Sequence, residues 1–260
     1  MSQNFRLPEI LEIARLEGKV TVEGLAERFG VTVQTIRRDL SELDGAGKLE
    51  RVHGGAILRS GTTNIGYQDR RALNAEAKLA IARACAGRIP ESASVFLNIG
   101  TSVEAVAGEL LRHRGLMVMT NNINVANILA GNPDCQVLVT GGALRRTDGG
   151  LVGNPAIQTI RQFKFDLAVI GCSAVDPDGD ILDFDIQEVG VSQAIIDQAR
   201  KVWLVADRSK FQRSAPARIA SLASVDTLFT DSAPSRDLMT RCAEWQTRIV
   251  VAEGETGATG

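Results

Sequence analysis

Four polar side chains near the start of the chain are of the types that proteins use to bind DNA. They are Gln34, Thr35, Arg37 and Arg38. Glutamine and arginine can form paired hydrogen bonds to a base edge, and arginine also binds phosphate. Apolar residues recur at positions 33, 36, 40 and 43, so a helix here would bury them and expose the polar arc. The pattern favours a DNA-reading helix; the alternative is a solvated helix face.

The surrounding residues predict the elements that would position this arc. Helices are predicted over residues 7–16, 22–29 and 33–43, and a hairpin over 49–56. Leu7-Pro8-Glu9 suits a helix start, because proline is tolerated in the first turn. Thr32 is a natural N-cap for the third helix. Helix, helix, turn, helix and hairpin is the plan of a winged helix-turn-helix.

The predicted hairpin adds two further candidates. Arg51 and His53 could contact a neighbouring phosphate backbone, unless they simply belong to a polar hairpin. Acids at positions 39, 42 and 44 lie toward the end of the third helix, whereas a major-groove reader needs its cations near the start. The predicted DNA contacts are Thr32, Gln34, Thr35, Arg37, Arg38, Arg51 and His53.

Three loops in the second half of the chain have compositions that suit an anion. They read Gly100-Thr101-Ser102, Thr120-Asn121-Asn122 and Thr140-Gly141-Gly142, and each follows a predicted strand. Glycine allows close approach of the backbone, hydroxyls donate, and a helix N-terminus supplies free N–H groups. Each loop alone is typical of an ordinary turn. Together, at equivalent strand ends, they indicate a phosphate pocket.

Extended and helical patterns alternate through the rest of the chain. Strands are predicted over residues 95–98, 116–120, 136–139, 166–171, 202–206, 227–230 and 248–251, and helices over 78–88, 103–111, 125–129, 156–162, 189–199 and 236–243. This alternation favours an α/β fold with a mostly parallel, covered sheet. The predicted division is a winged helix-turn-helix at 1–58, a polar linker at 59–77, an effector domain at 78–252 and a disordered tail at 253–260.

Composition excludes several classes of protein. The 260 residues carry a formal net charge of −2, so DNA binding has to rest on local cations. No apolar run approaches the roughly 20 residues that span a bilayer, and the N-terminus lacks a secretory signal, so we expect a cytoplasmic protein. The four cysteines are scattered without a C-x-x-C pair. We therefore expect thiols, with no metal and no cofactor.

Two motifs resemble a known family. Residues 33–40 read V-Q-T-I-R-R-D-L, and residues 51–56 read R-V-H-G-G-A. They resemble the signature of the DeoR family of bacterial repressors, although the family's usual serine at the start of the recognition helix is Thr32 or Val33 here. The resemblance extends over about residues 4–251. It implies a repressor that binds double-stranded operator DNA and is released by a phosphorylated metabolite.

The second half resembles the effector domain of that family, whose fold is similar to that of sugar-phosphate isomerases such as ribose-5-phosphate isomerase. The site residues that the resemblance implies are Gly100, Thr101, Ser102, Asn121, Gly141, Gly142 and Lys210. The first three would hold the phosphate, the next three would line the pocket, and the lysine would contact the ligand.

The identity of the effector follows only from a finer resemblance. Residues 120–127, 145–153 and 182–185 resemble one branch of the family in particular, which implies sn-glycerol 3-phosphate. Another sugar phosphate or a sulfosugar phosphate is the alternative. Whether the protein represses or activates a given promoter stays open. Because one winged domain contacts few base pairs, we expect a homodimer or homotetramer.

An enzyme is the alternative from a different class. The acids Asp176, Asp178, Asp183, Asp185 and Glu188, together with Lys210, could move a proton beside a carbonyl. Residues 176–180 instead have the composition of a turn. Glycerol 3-phosphate has no carbonyl to isomerise, and an isomerase has no use for a DNA-binding module. We therefore predict a regulator rather than an enzyme.

Overall fold

The computed structural model describes residues 3–58 and 66–252. The first domain contains α1 (Gln3–Glu17), β1 (Lys19–Thr21), α2 (Val22–Phe29), α3 (Val33–Gly45), β2 (Leu49–Val52) and β3 (Gly55–Leu58). Its strands form an antiparallel sheet in the order β1-β3-β2. This arrangement confirms the predicted winged helix-turn-helix, in which β2 and β3 form the wing.

Capping residues fix the turn between α2 and α3. The Thr21 hydroxyl accepts a hydrogen bond from the N–H of Gly24 at 3.1 Å, and the Thr32 hydroxyl accepts one from the N–H of Thr35 at 3.2 Å. Gly30 ends α2 in the left-handed conformation, with φ +61°, which glycine adopts without steric cost. These caps define where α3 begins.

Helix α1 begins before the predicted position. It starts at Gln3 rather than Leu7, and Pro8 lies inside it. The added turn carries Arg6, whose guanidinium donates to both carboxylate oxygens of Asp39 on α3, at 2.8 and 3.3 Å. The Arg6–Asp39 contact thus accompanies the extra turn. Because it joins residues far apart in the chain, local helix preference does not predict it.

The second domain begins with helices α4 (Tyr67–Ala72) and α5 (Ala75–Ala86). It continues with β4 (Ser94–Leu97), α6 (Thr101–Glu109), β5 (Leu116–Thr120), α7 (Ile123–Leu129), β6 (Cys135–Val139), β7 (Ala143–Arg145), β8 (Gly150–Val152), α8 (Asn154–Ile160), β9 (Leu167–Ile170), β10 (Ala174–Val175), β11 (Asp180–Asp183), α9 (Ile186–Gln198) and β12 (Val202–Val205). A 3-10 helix (Arg208–Gln212), β13 (Ala217–Ser221), a second 3-10 helix (Leu222–Ser224), β14 (Thr227–Thr230), α10 (Arg236–Glu244) and β15 (Arg248–Val251) complete it.

The main sheet of the described residues is seven-stranded and parallel, in the order β15-β14-β12-β9-β4-β5-β6. Apolar cores cover both of its faces: on β4, Phe96 belongs to one core, whereas Val95 and Leu97 belong to the other. The predicted fold class, a mostly parallel sheet between helices, is confirmed. Its strands therefore end at a common carboxyl edge.

The sequence patterns did not predict the smaller sheets of the second domain. Strands β7 and β8 form a hairpin, and β10, β11 and β13 form an antiparallel sheet. Strands β7, β8 and β10 have only two or three residues, which is too short to show an alternating pattern. The turn predicted over residues 176–180 is present: the Asp176 carboxylate accepts the N–H groups of Asp178 and Asp180 at 3.0 and 2.9 Å.

The stretch 59–77, interpreted as a linker, contains α4 and the start of α5. Each residue of α4 is at least partly exposed, so no apolar periodicity marks this helix in the sequence. Residues 59–65 and the predicted disordered tail at 253–260 lie outside the described residues.

Two further observations concern the membrane and the cysteines. None of the described helices is long and apolar enough to cross a bilayer. All four cysteines are free thiols; Cys85 and Cys242 are buried, and Cys135 and Cys172 are partly buried.

Gly55 tests the packing of the wing against β1. A Cβ at this position would lie 1.9 Å from the carbonyl oxygen of Val20, so Gly55→Ala has to displace a strand. We expect the variant to lose about 1–3 kcal/mol of stability in the first domain, together with DNA affinity. Gly54→Ala is the matched control, since only its φ of +77° is unfavourable and no atom lies within 4 Å. Equal unfolding temperatures for the two variants would contradict this packing.

Candidate DNA-binding surface and ligand cavity

The exposed arc of α3 carries the predicted DNA contacts. Gln34, Arg37 and Arg38 are exposed, whereas Ile36 is buried against the rest of the domain. The hydroxyls of Thr32 and Thr35 lie 3.0 Å apart at the start of the helix. This part of α3 therefore offers amide, guanidinium and hydroxyl groups to a major groove.

The negative charge beside these arginines is smaller than the sequence suggests. Asp39 is only 1% exposed, and its carboxylate is bound by Arg6. A buried carboxylate paired with a guanidinium is compensated where it lies. Asp39 therefore does not present a free negative charge next to the DNA-binding arc.

The wing extends the same surface. Arg51 on β2 is exposed, and its Nη1 donates to the hydroxyl of Ser41 on α3 at 3.0 Å. His53 is exposed at the tip of the hairpin. Ser41 itself was not predicted, although it follows Arg37 by one helical turn and donates to the Arg37 carbonyl oxygen at 2.7 Å.

A cavity lies beside the carboxyl ends of β4, β9 and β12, the edge at which open parallel sheets bind ligands. Its polar lining includes Arg70, Thr101, Ser102, Asp183, Glu188 and Lys210. Gly100 also lines it, so four of the predicted ligand residues meet here: Gly100, Thr101, Ser102 and Lys210. They come from the strand-to-helix loop after β4 and the 3-10 helix after β12.

The N-terminus of α6 forms one wall of the cavity. Gly100 precedes the helix with φ +137°, a conformation that residues with a side chain rarely adopt, and it offers no side-chain cap. The first N–H groups of a helix have no partner within it, and the helix dipole is positive at this end. Thr101 adds a hydroxyl, which donates to the carbonyl oxygen of Arg70 at 3.4 Å. This wall suits an anion.

Lys210 also lines the cavity, and its ammonium interacts with the buried carboxylate of Asp207. Burial lowers the pKa of Lys210, and the Asp207 carboxylate partly offsets that effect. Despite its own burial, Asp207 has a lowered pKa, because Lys210 and the hydrogen bonds from Ser209 and Asn74 stabilise its charge. An anion bound in the cavity would stabilise the charged form of Lys210 in the same way.

Two acidic side chains, those of Asp183 and Glu188, also line the cavity. Asp183 accepts the hydroxyl of Ser173 at 2.8 Å and the N–H of Phe184 at 2.7 Å. Burial raises the pKa of Glu188 to about 7; Asp183 adds to the rise, and Arg145 opposes it. These oxygens can accept hydrogen bonds from ligand hydroxyls.

Arg145, on β7, holds the acidic side together. It donates from Nε and Nη2 to Asp148 at 2.9 and 2.8 Å, and from Nη1 to Asp185 at 2.7 Å. Its Nη2 also donates to Glu188 at 2.5 Å. One guanidinium therefore orients Glu188 and connects the β7–β8 hairpin to the start of α9.

Three predicted ligand residues do not line this cavity: Asn121, Gly141 and Gly142. Asn121 is fully buried, and its side-chain amide donates to the carbonyl oxygen of Leu151 on β8 at 3.3 Å. Gly142 has φ +111°, and a Cβ there would lie 2.7 Å from the Val152 carbonyl oxygen. Asn121 and Gly142 thus contact β8 of the hairpin. Their strand-end location did not reveal that a hairpin occupies this part of the edge.

Several cavity residues were missed or assigned another role. Arg70 lies in the stretch interpreted as a linker, and no sequence signal distinguished it. Asp183 and Glu188 entered the sequence argument only as possible catalytic acids. Their positions at the end of β11 and in the first turn of α9 were the available signal.

Family comparisons match both parts of the chain. Residues 6–62 match the DeoR-like helix-turn-helix domain, and residues 73–232 match the DeoR C terminal sensor domain. The first match contains the DNA-binding arc and the wing. The second contains the cavity residues other than Arg70.

Curated relatives are similar over nearly their whole length. The glycerol-3-phosphate regulon repressor of Escherichia coli (strain K12) is 43% identical over 239 residues, 92% of this chain and 95% of that protein. The repressor of the same name from Haemophilus influenzae is 40% identical over 255 residues, 98% and 99% of the two chains. The HTH-type transcriptional repressor CsqR of Escherichia coli (strain K12) is 36% identical over 253 residues, 97% of each. Relatives of this kind indicate a regulator rather than an enzyme.

Among solved structures, the ribose 5-phosphate isomerase of Methanocaldococcus jannaschii matches 53% of this chain and 55% of its own, with a TM-score of 0.40 and 10% identity. A likeness this low has no bearing on function.

Arg37 and Arg38 test the DNA-binding surface. We expect Arg37→Ala or Arg38→Ala to weaken specific DNA binding by about 1–3 kcal/mol where a base contact is lost. Where a phosphate contact is lost, the salt slope of log K should fall by about one. Arg112→Ala, which removes an exposed cation in the second domain, serves as the control. Fluorescence anisotropy over a range of salt concentrations measures both effects; unchanged affinity in both α3 variants would rule out this surface.

Proposed function

The chain belongs to the DeoR family of transcriptional repressors, and on this premise we propose that it represses a carbon-utilisation operon until sn-glycerol 3-phosphate occupies the cavity. The observation that carries the proposal is that one cavity combines an anion-binding wall with a carboxylate wall. The two similar glycerol-3-phosphate regulon repressors support this choice of effector.

The α6 wall supplies the chemistry for the phosphate. The free N–H groups that follow Gly100, the hydroxyls of Thr101 and Ser102, and the ammonium of Lys210 all line the cavity. Charge-assisted hydrogen bonds from such groups are stronger than neutral ones. A phosphate seated here would also compensate the buried charge of Lys210.

The carboxylate wall supplies the chemistry for the hydroxyls. Asp183 and Glu188 can accept hydrogen bonds from a polyol, but they would repel a ligand that carries its own carboxylate. The lining therefore suits a small polyol phosphate better than a phosphorylated acid of the same size. Another sugar phosphate or a sulfosugar phosphate is the alternative effector, since it also combines an anion with hydroxyls.

Assembly and location follow from the mode of DNA binding. A single winged domain contacts few base pairs, and bacterial operators are commonly bound by symmetric dimers. We propose a homodimer or homotetramer that acts in the cytoplasm, where its operator DNA is found.

Operator release tests the effector. We expect sn-glycerol 3-phosphate to weaken operator binding and glycerol to have no effect, because the α6 wall needs the phosphate. Coupling free energies of this kind are typically about 1–3 kcal/mol, or roughly 5–150-fold in affinity. A gel-shift titration with both compounds and with ribose 5-phosphate measures the difference. Release by ribose 5-phosphate alone would keep the mechanism and reject the named effector.

Thr101→Val tests the position of the phosphate. The substitution keeps the shape of the side chain but removes a hydroxyl, and a hydrogen bond to a charged group contributes about 1.5–3 kcal/mol. We expect the affinity for sn-glycerol 3-phosphate to fall about tenfold or more, while operator affinity without effector stays unchanged. Thr240→Val is the matched control, because its hydroxyl bonds the carbonyl oxygen of Arg236 within α10. If calorimetry shows that Thr101→Val binds sn-glycerol 3-phosphate with wild-type affinity, the loop that contains Thr101 does not bind the phosphate.

A further inference from the structure

We propose that Arg70, on the helix between the two domains, binds the phosphate of the effector and that α4 thereby carries the binding signal toward the DNA-binding domain. The proposal rests on the proposed function, since it takes the cavity as the effector site. Helix α4 lies between the residues matched by the two family models, 6–62 and 73–232. Neither model therefore assigns it a role.

The geometry brings Arg70 into the anion-binding wall. Arg70 lines the cavity together with Gly100, Thr101 and Lys210, and its carbonyl oxygen accepts the Thr101 hydroxyl at 3.4 Å. The side chain is only 17% exposed. Arg70 thus borders the same space as the start of α6.

The hydrogen bonding of Arg70 is incomplete. Its Nη2 donates to Asp148 at 3.1 Å, but its Nε is buried and has no hydrogen-bond partner among the described residues. A buried donor without a partner costs free energy, and a guanidinium fork binds phosphate oxygens in pairs. An anion in the cavity would supply the acceptor that Nε lacks.

The contact with Asp148 does not prevent this role. Asp148 also accepts two hydrogen bonds from Arg145, at 2.9 and 2.8 Å. Asp148 therefore keeps two hydrogen bonds to a guanidinium if the Arg70 side chain turns toward a ligand. Arg70 can exchange part of its contact with Asp148 for the phosphate without leaving a buried carboxylate alone.

Polar contacts connect α4, and the turn between α4 and α5, to both sources of anion-binding groups. The Tyr67 hydroxyl donates to Glu104 on α6 at 2.8 Å, and the Asn74 amide donates to Asp207, which precedes the 3-10 helix of Lys210, at 2.9 Å. No buried residue anchors α4, so these contacts set its position. A ligand that moves the Arg70 side chain or the start of α6 therefore also shifts α4. Eight residues, 59–66, separate α4 from the end of β3 in the wing.

The experiment compares neighbouring arginines of one helix. Arg70→Gln and Arg71→Gln remove the same charge from α4, but Arg71 is exposed and lies outside the cavity lining. Calorimetry with sn-glycerol 3-phosphate and, separately, with inorganic phosphate measures binding. We expect Arg70→Gln to weaken both at least tenfold and Arg71→Gln to stay within twofold of the wild type. Arg70→Lys, which keeps the charge but lacks the fork, should lie between them.

The release of operator DNA by the effector measures the coupling through α4. At effector concentrations that saturate each variant, we expect Arg70→Gln to retain operator DNA at least fivefold more tightly than the wild type does. Wild-type affinity for both ligands in Arg70→Gln would overturn the phosphate contact, and normal release at saturation would overturn the coupling through α4. If Arg70→Gln melts below the wild type, the same comparisons with Arg70→Lys decide.

Measurements on the wild type distinguish a failure of the Arg70 proposal from a failure of the proposed function on which it rests. Failure of the wild type to bind sn-glycerol 3-phosphate would reject that effector. A tenfold loss of inorganic phosphate binding in Arg70→Gln would support the contact even then, and absence of phosphate binding by the wild type would overturn it.

Discussion

Compensation of buried charge is the constraint on which the second domain depends. Arg145 binds Asp148, Asp185 and Glu188, and through them it connects the β7–β8 hairpin with α9 beside the cavity. Loss of one member of such a group leaves a buried charge uncompensated. The free-energy cost of that loss is larger than the free energy that the ion pair gains relative to an apolar replacement of the whole pair. Ion pairs and hydrogen bonds therefore shape the acidic wall of the cavity. A site of this kind can receive a charged, hydroxylated ligand by exchanging partners, which an apolar cavity cannot do.

The DNA-binding domain uses the same principle for a different purpose. Arg6 and Asp39 are almost fully buried, and their pairing fixes α1 against the back of α3. The pairing also keeps a carboxylate away from the surface that carries Arg37 and Arg38. A sequence count of charges places three acids near that surface, but the fold compensates one of them internally. Local charge at an interface therefore depends on which side chains the fold pairs.

The sequence predicts best those elements whose pattern reflects their own burial. Strands β5 and β14 have the predicted bounds, because they are short, largely buried runs between polar turns. Helix α4 and the β7–β8 hairpin depend on polar contacts with distant residues, which leave no periodicity in the chain. For the same reason the sequence pattern predicts the strand-to-helix loop at Gly100, which lines the cavity, but does not distinguish Arg70. Because Asn121 and Gly142 follow strands, the sequence predicts the edge of the sheet at which they lie. It does not predict the β7–β8 hairpin at that edge.

The hydrogen bonding of the two cavity carboxylates suits binding rather than proton transfer. Burial raises the pKa of Glu188 to about 7, a value that would suit a general base. Oε2 of Glu188, however, is already bound to Arg145 at 2.5 Å. Protonation would weaken that ion pair and the orientation it provides. Asp183 likewise accepts hydrogen bonds from Ser173 and Phe184. Both groups accept hydrogen bonds from neighbouring side chains, and two of the acids that resemble a catalytic set in the sequence line one cavity in the fold.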